Sequence, residues 1–561
     1  MAPLNCAVAG RKRPDLVGNP APAHAGRRTG GLVMKECRRQ KPRGGTLVLK
    51  KTDESLRRRV REIGGDRVGV VPVDVAKKRV CAMVTDFYGS VLCPPEVFPV
   101  TAAGLNALQQ RISTAQQDHG LKEVVIGLEQ TGRLHEPVRR VLGKRWTVKL
   151  VHPLVTNHLR QGLSRNVKTE AMDVDALFRA VAGGYGSPCT PMPVAYERWR
   201  ALHRAREQLV DDRSALKLRM HERLHAVLPG FSAQFANLWT SPTALALIDG
   251  FDGPDGIRAL GEPALLRWLC EHGAACTRAK AESLLAWASD SVPPTAAATT
   301  EAAILRADLE HLALLGRRIE WCERQLLQFL VQTPFVLLLS VPGISHVLSS
   351  GLGAEAGPMS FYPTARNLTG RAGLYPRRYQ SDETDLQDHT MARGEPFLRD
   401  VLMKIGRCLV RSQGAFFAWG ESRRTLGWCE KEIVAAMANR FCRIAHAMLL
   451  AGQTFRHADA KPGVSVLGKL LNVAADLGLD AATATELAIA AAARIPAPSR
   501  ETEIQELQTG AWKIDHRPRE HGASPGTTRP ITQQTVPALL TWLKDPENNH
   551  DVAPLNPFRS P

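Results

Sequence analysis

The sequence lacks the features of several common protein classes. Its 11 cysteines contain no C-x-x-C pair, and Cys270 and Cys276 have no nearby Cys/His pair to complete a zinc site. They are expected as reduced thiols of a cytosolic chain. No run reaches the roughly 18 apolar residues that a spanning helix needs. The best candidate, Phe335 to Leu339, is broken by Ser340 and Pro342, so a soluble protein with no membrane segment is expected. Acids are scarce: 55 Asp and Glu stand against 73 Lys and Arg, a net charge of +18. The excess runs through candidate helices as well as the ends, which favours a polyanionic partner, with nucleic acid ahead of an anionic membrane surface. At 561 residues the chain can bury two or more cores.

Residues 1–66 read as a disordered basic arm, rich in Lys and Arg with scattered Gly and Pro. A transit peptide, or a true start at Met34 or later, fits the same text. From Val68 three strand-like runs follow: Val68 to Val75, Arg79 to Thr85 and Ser90 to Val100. Pro72 argues for an irregular or edge position in the first. A helix capped by Thr101, with Leu105, Leu108 and Ile112 on one face, leads to a strand ending at Glu129. A helix from about Leu134 to Leu142 and a strand from Trp146 to Val151 complete the order of an RNase H-like sheet. Its first and fourth strands place Asp74 and Glu129 side by side at one end.

A carboxylate at the tip of an apolar strand is costly when dry and unpaired, so it should face something positive. A solvated strand end is the plain alternative. The helix opened by Lys168-Thr-Glu170-Ala-Met-Asp173-Val-Asp175 supplies more acids. Glu170 and Asp173, three apart, project about 60° from each other and can face one point, whereas Asp175 points elsewhere and suits an ion pair with Arg179. These acids could instead only solvate the helix's first turn. Asp74, Glu129, Glu170 and Asp173 converging would call for one or two Mg²⁺ ions. Two ions about 3.5–4 Å apart clamp the attacking and leaving oxygens of a phosphodiester, as in nucleases and transposases.

Val73-Asp74-Val-Ala-Lys77, Glu129-Gln-Thr-Gly132 and Lys168-Thr-Glu170-Ala-Met-Asp173 resemble, in order, the three motifs of the DEDD insertion-sequence transposases of the IS110 type. Glu170 stands where that family commonly has Asp, and Arg133 where it has an aromatic residue. A second block, Leu339-Ser-Val-Pro342-Gly343-Ile-Ser345 through Ala372-Gly-Leu-Tyr-Pro376, resembles the family's C-terminal domain, and the likeness spans roughly residues 67–455. It implies a RuvC-like catalytic domain over 67–190 and a serine-bearing transposase domain over 334–457. Ser381 matches the family's serine, while Asp382 replaces the following glycine. The resemblance further implies a covalent serine–DNA intermediate, targeting by a structured guide RNA, and a bacterial, nucleoid-associated location.

Between these domains, residues 191–333 read as a helical or coiled-coil arm, with Leu202, Leu209 and Leu216 seven apart. A returning helix is expected over Glu301 to Leu330. The Pro342-Gly343 turn could offer backbone N–H groups to phosphate, as in helix-hairpin-helix units, or be a plain turn. Arg377 and Arg378 could neutralise phosphate. Lys168 belongs to the third motif, and Lys404, Arg407 and Arg411 form a stripe that either faces nucleic acid or is merely solvated. Residues 458–561 read as a helical, partly disordered appendage. The expected activity is Mg²⁺-dependent DNA strand cleavage and rejoining with Ser381 as nucleophile. Its rivals are a RuvC-like nuclease using water and a catalytically silent nucleic-acid-binding remnant. A dimer or tetramer is expected, since strand exchange between two duplexes needs several nucleophiles.

Overall fold

The computed structural model describes residues 54–545 and 548, except 131, 164–168, 189–191, 376, 382–383, 389–393, 413–414, 456–464 and 510–527. The chain divides into two compact units, residues 1–190 and 191–561.

The first unit begins, among the described residues, with α1 (Glu54–Ile63). This helix lies within the stretch expected to be a disordered arm. Its Leu56 is 3% exposed and joins the core with Val68, Val125 and Leu177, and Arg57 donates to the Gly183 carbonyl. An apolar residue with a place to be buried is enough to order a segment that composition alone assigns to solvent.

Strands β1 (Val68–Val75), β2 (Arg79–Asp86) and β3 (Val91–Pro99) run antiparallel in sequence. Helix α2 (Ala102–Asp118) follows, its N-terminus capped by the Thr101 hydroxyl, which accepts from Gly104 N–H. Then come β4 (Glu123–Glu129), α3 (His135–Leu142), β5 (Thr147–Val151), α4 (Pro153–Leu163), α5 (Glu170–Ala182) and the two-residue β6 (Ser187–Pro188). The sheet order is β3-β2-β1-β4-β5-β6, with β1, β4 and β5 parallel. This is the RNase H-like arrangement read from the sequence.

Of the two positions expected for Pro72, the irregular one is found and the edge one is not: β1 is central. The parallel ladder to β4 continues through the pair Pro72–Gly127, while the antiparallel ladder to β2 is interrupted at Val71 and Pro72. A missing N–H is tolerated in a central strand when it falls where one ladder already breaks. Gly127 has its own reason to be glycine. A Cβ there would stand 2.5 Å from Val181 Cγ2, so only a bare backbone lets α5 lie this close to β4.

In the second unit two 34-residue helices, α6 (Val194–Val227) and α10 (Ala298–Val331), lie antiparallel. Arg206 pairs with Glu323 near one end and Arg223 with Asp308 and Glu301 near the other. The leucine spacing of α6 therefore finds its partner within the same chain. At one end Leu216, Met220 and Leu224 meet α7 (Pro242–Gly250), α8 (Pro254–Glu271) and α9 (Arg278–Asp290) in a separate core. At the other, fully buried Trp199 packs against Phe329 and Phe335.

That second core also takes in α11 (His346–Ala356), α12 (Ala365–Ala372), α13 (Pro396–Arg411), α14 (Ala415–Arg424) and α15 (Glu430–Ala451). Between α12 and α13 lies a hairpin, β7 (Arg377–Ser381) and β8 (Thr384–Asp388), described by its backbone. Helices α16 (Val466–Asp476), α17 (Ala481–Ala492), α18 (Ala497–Thr509) and α19 (Thr528–Lys544) bury Leu470, Leu471, Ala488, Ile504 and Leu539 in the same core. These four helices, expected as an appendage, are thus part of the second unit's interior. Lys469 ties it to the Pro-Gly turn by donating to the carbonyls of Val341 and Ile344.

Helix α15 is long and apolar enough to cross a membrane by length and composition. Half of its apolar window is buried, with Ile433, Met437 and Phe441 in the core, as an interior helix requires.

Candidate active site

Val73 pairs with Leu128 across the parallel β1–β4 ladder, so the next residues, Asp74 and Glu129, are neighbours at the strands' C-terminal ends. Both are half-buried. Helix α5 lies over this part of the sheet, its Val174 packed with Cys81 and Met83 of β2. The Thr169 hydroxyl starts that helix by accepting from Met172 N–H, which puts Glu170 and Asp173 in its first turn. Cys81 sits opposite Asp74 in the β1–β2 register. Burial, then the charges of Glu170 and Asp74, push the Cys81 thiol above its ordinary range. One thiol thus feels a carboxylate from the sheet and another from the helix.

Each carboxylate has a protein partner nearby. Thr156 Oγ1 on α4 donates to Glu129 Oε2 at 2.5 Å. Arg160, also on α4, meets Asp173 Oδ1 at 2.7 Å and donates to Asn157 as well. Arg79, at the start of β2, meets Glu170 Oε1 at 2.6 Å. The Asp175–Arg179 ion pair forms at 2.9 Å, as the spacing suggested.

The four carboxylates do not gather at one point. Among the described residues no group of three or more His, Cys, Asp or Glu side chains could hold a metal ion. Like charges repel, and two arginines answer Glu170 and Asp173 separately. The donor chemistry still fits Mg²⁺, since all four groups offer hard carboxylate oxygens.

Sequence reading missed Arg79, Thr156 and Arg160, and with the last two the helix α4 that carries them. Its signal was present: Pro153 at the first helical position, followed by Leu154, Val155, His158 and Leu159.

In the second unit Ser381 ends β7, with Arg377 and Arg378 on the same strand. Asp382 and Lys168 lie outside the described residues. Of the proposed basic stripe, Lys404 pairs with Glu207 and with Asp400 at 2.8 Å, whereas Arg407 and Arg411 are exposed. Arg204 and Arg206, on the arm helix α6, are engaged with Glu355 and Glu395 and with Glu323 and Glu207.

Comparison with known families agrees with this layout. Residues 71–229 match the DEDD transposase model of the IS110 type, and residues 336–418 match the model described as transposase IS116/IS110/IS902 family. The chain is similar to the transposase for insertion sequence element IS1328 of Yersinia enterocolitica, 23% identical over 360 residues, 63% of this chain and 92% of that one. It is also similar to a probable family 20 transposase of Pseudomonas aeruginosa, 23% identical over 341 residues, 60% of this chain and 87% of that one. Two family segments in the expected order, on an RNase H-like sheet with strand-end acids, have one reading: the chain is an enzyme that belongs to the IS110 family of DEDD-type transposases.

Proposed function

We propose that Asp74 and Glu129, with Asp173 and Glu170 from α5, form the DNA-cutting centre of this transposase and that they work with one or two Mg²⁺ ions. The observation that carries the reading is the placement of Asp74 and Glu129 at the ends of adjacent parallel strands, with the first turn of α5 nearby. Bound there, Mg²⁺ would polarise the phosphodiester and lower the pKa of an attacking water. The protein's part is to hold those oxygens while Thr156 orients Glu129. Arg160 and Arg79, once released from Asp173 and Glu170, become donors for DNA phosphates.

The attacking oxygen distinguishes two readings. Water needs nothing outside the first unit, and the carboxylates alone support it. Ser381 is favoured by its place within the second matched segment. Its hydroxyl would bond to phosphorus as the strand's own oxygen leaves with a proton, and the resulting phosphoserine ester would conserve the bond for rejoining. A guide RNA and a dimer or tetramer belong with the second reading.

The test is incubation of the purified protein with its element's end DNA, flanking noncoding RNA and Mg²⁺, followed by denaturation. Hydrolysis without an adduct, unaffected by Ser381→Ala, supports water. A denaturation-resistant protein–DNA adduct that disappears in Ser381→Ala supports serine. DNA binding with no Mg²⁺-dependent cleavage would overturn both and leave a silent binding protein.

A further inference from the structure

The corner between α14 and α15 carries a run of alternating arginines and tryptophans that no part of the cutting centre uses. The Arg440 guanidinium carbon lies 5.9 Å from the centre of the Trp419 ring, and that of Arg423 lies 5.5 Å from Trp419 and 5.2 Å from Trp428. The order Arg440–Trp419–Arg423–Trp428 ends outward on an indole that is 41% exposed.

Trp428 is held there by the end of α14. Its N–H bonds the Arg423 carbonyl at 3.1 Å and the Gly427 N–H bonds that of Arg424 at 2.9 Å. Gly427 supplies the required left-handed turn at φ 80°. This is a Schellman ending, in which the residue after the glycine packs back on the last turn. The indole is therefore pre-positioned, and little ordering entropy is lost when something stacks on it.

The charge at this corner is one-sided. Glu421 and Glu430 are both taken by Arg424, and Glu432 accepts from the Cys429 N–H. Arg423, Arg440, Arg443 and Lys431 have no carboxylate partner among the described residues, and Arg423 Nε is buried without a hydrogen-bond acceptor. Phe417, 38% exposed, adds a further ring on α14. Pre-set aromatic faces among uncompensated cations are what unpaired bases and their phosphates bind, whereas paired bases keep their faces inside the duplex.

We infer that the α14–α15 corner is a stacking platform for unpaired DNA, with Trp428 receiving a base and Arg423 and Arg440 attending its phosphates. The inference rests on DNA being the substrate, and it names the strand state that this surface prefers.

Binding of a labelled oligo(dT) 20-mer and of a 20-base-pair duplex, measured by anisotropy in EDTA, tests it without any turnover, so failure of the cutting centre leaves the result untouched. Trp428→Ala should weaken oligo(dT) binding roughly tenfold, within the range for loss of one stacked base, and leave the duplex within twofold. Trp428→Phe should retain most of the affinity, and Trp428→Leu should not. The proposal is overturned if Trp428→Ala binds oligo(dT) like the parent, if single strand and duplex weaken equally, or if the parent prefers oligo(U) through Trp428.

Discussion

Replacing Asp74 by Asn is expected to reduce Mg²⁺-dependent DNA strand cleavage by about a hundredfold or more, the scale seen when one charge-stabilising group is removed from such a centre. The change is nearly isosteric, so β1 keeps its pairing with β2 and β4 while losing a negative oxygen donor at its tip. Glu129→Gln should act alike, because Glu129 neighbours Asp74 on the parallel strand and already accepts from Thr156. Asp175→Asn is the matched control. Asp175 lies in the same helix but faces Arg179, and its loss should leave cleavage within about twofold, as for an exposed i,i+4 pair. Duplex binding should survive in all three variants. Cleavage by Asp74→Asn at the parent rate would remove Asp74 from the centre.

The second large effect concerns stability. Glu355 on α11 is fully buried and accepts from Arg204 at 3.0 and 2.7 Å, with Arg200 at 3.7 Å. Arg200 also donates to the carbonyls of Ala354 and Glu355, and Arg204 reaches Glu395. The cluster thus joins α6, α11 and the start of α13. Glu355→Ala would leave two part-buried guanidinium charges without their main counter-ion, a loss of up to about 3–5 kcal/mol, the figure for a fully buried pair broken on one side. Thermal unfolding should show the second unit's transition moved down by many degrees. An unchanged transition would mean that Glu395 alone holds both arginines.

The strand-end acids were legible because Glu129 ends an apolar run and Asp74 stands one residue from the end of another, patterns visible within eight residues. The sheet order followed from three strands succeeded by alternating helix and strand. The Thr101 cap and the Asp175–Arg179 pair were legible for the same reason, since they are made within four residues. What escaped was long-range. Arg79 meets Glu170 from 91 positions away in sequence, and no local pattern assigns an arginine to a distant acid. Arg160 was missed because α4 was not recognised, although Pro153 marks its start. Pro72 left an irregular and an edge position open, because strand position depends on which ladder breaks, a fact about neighbours. Helices α16 to α19 looked separable because their Ala- and Leu-rich faces do not say which surface covers them; the core shared with α13 and α15 does.

The most direct test is metal binding by the intact protein, with Mn²⁺ as a spectroscopic substitute for Mg²⁺ and paramagnetic resonance reporting the free ion. One or two ions should bind the parent, and Asp74→Asn combined with Glu129→Gln should weaken them by more than about tenfold. Equal Mn²⁺ binding by parent and double variant would place the ion elsewhere and contradict the carboxylate centre.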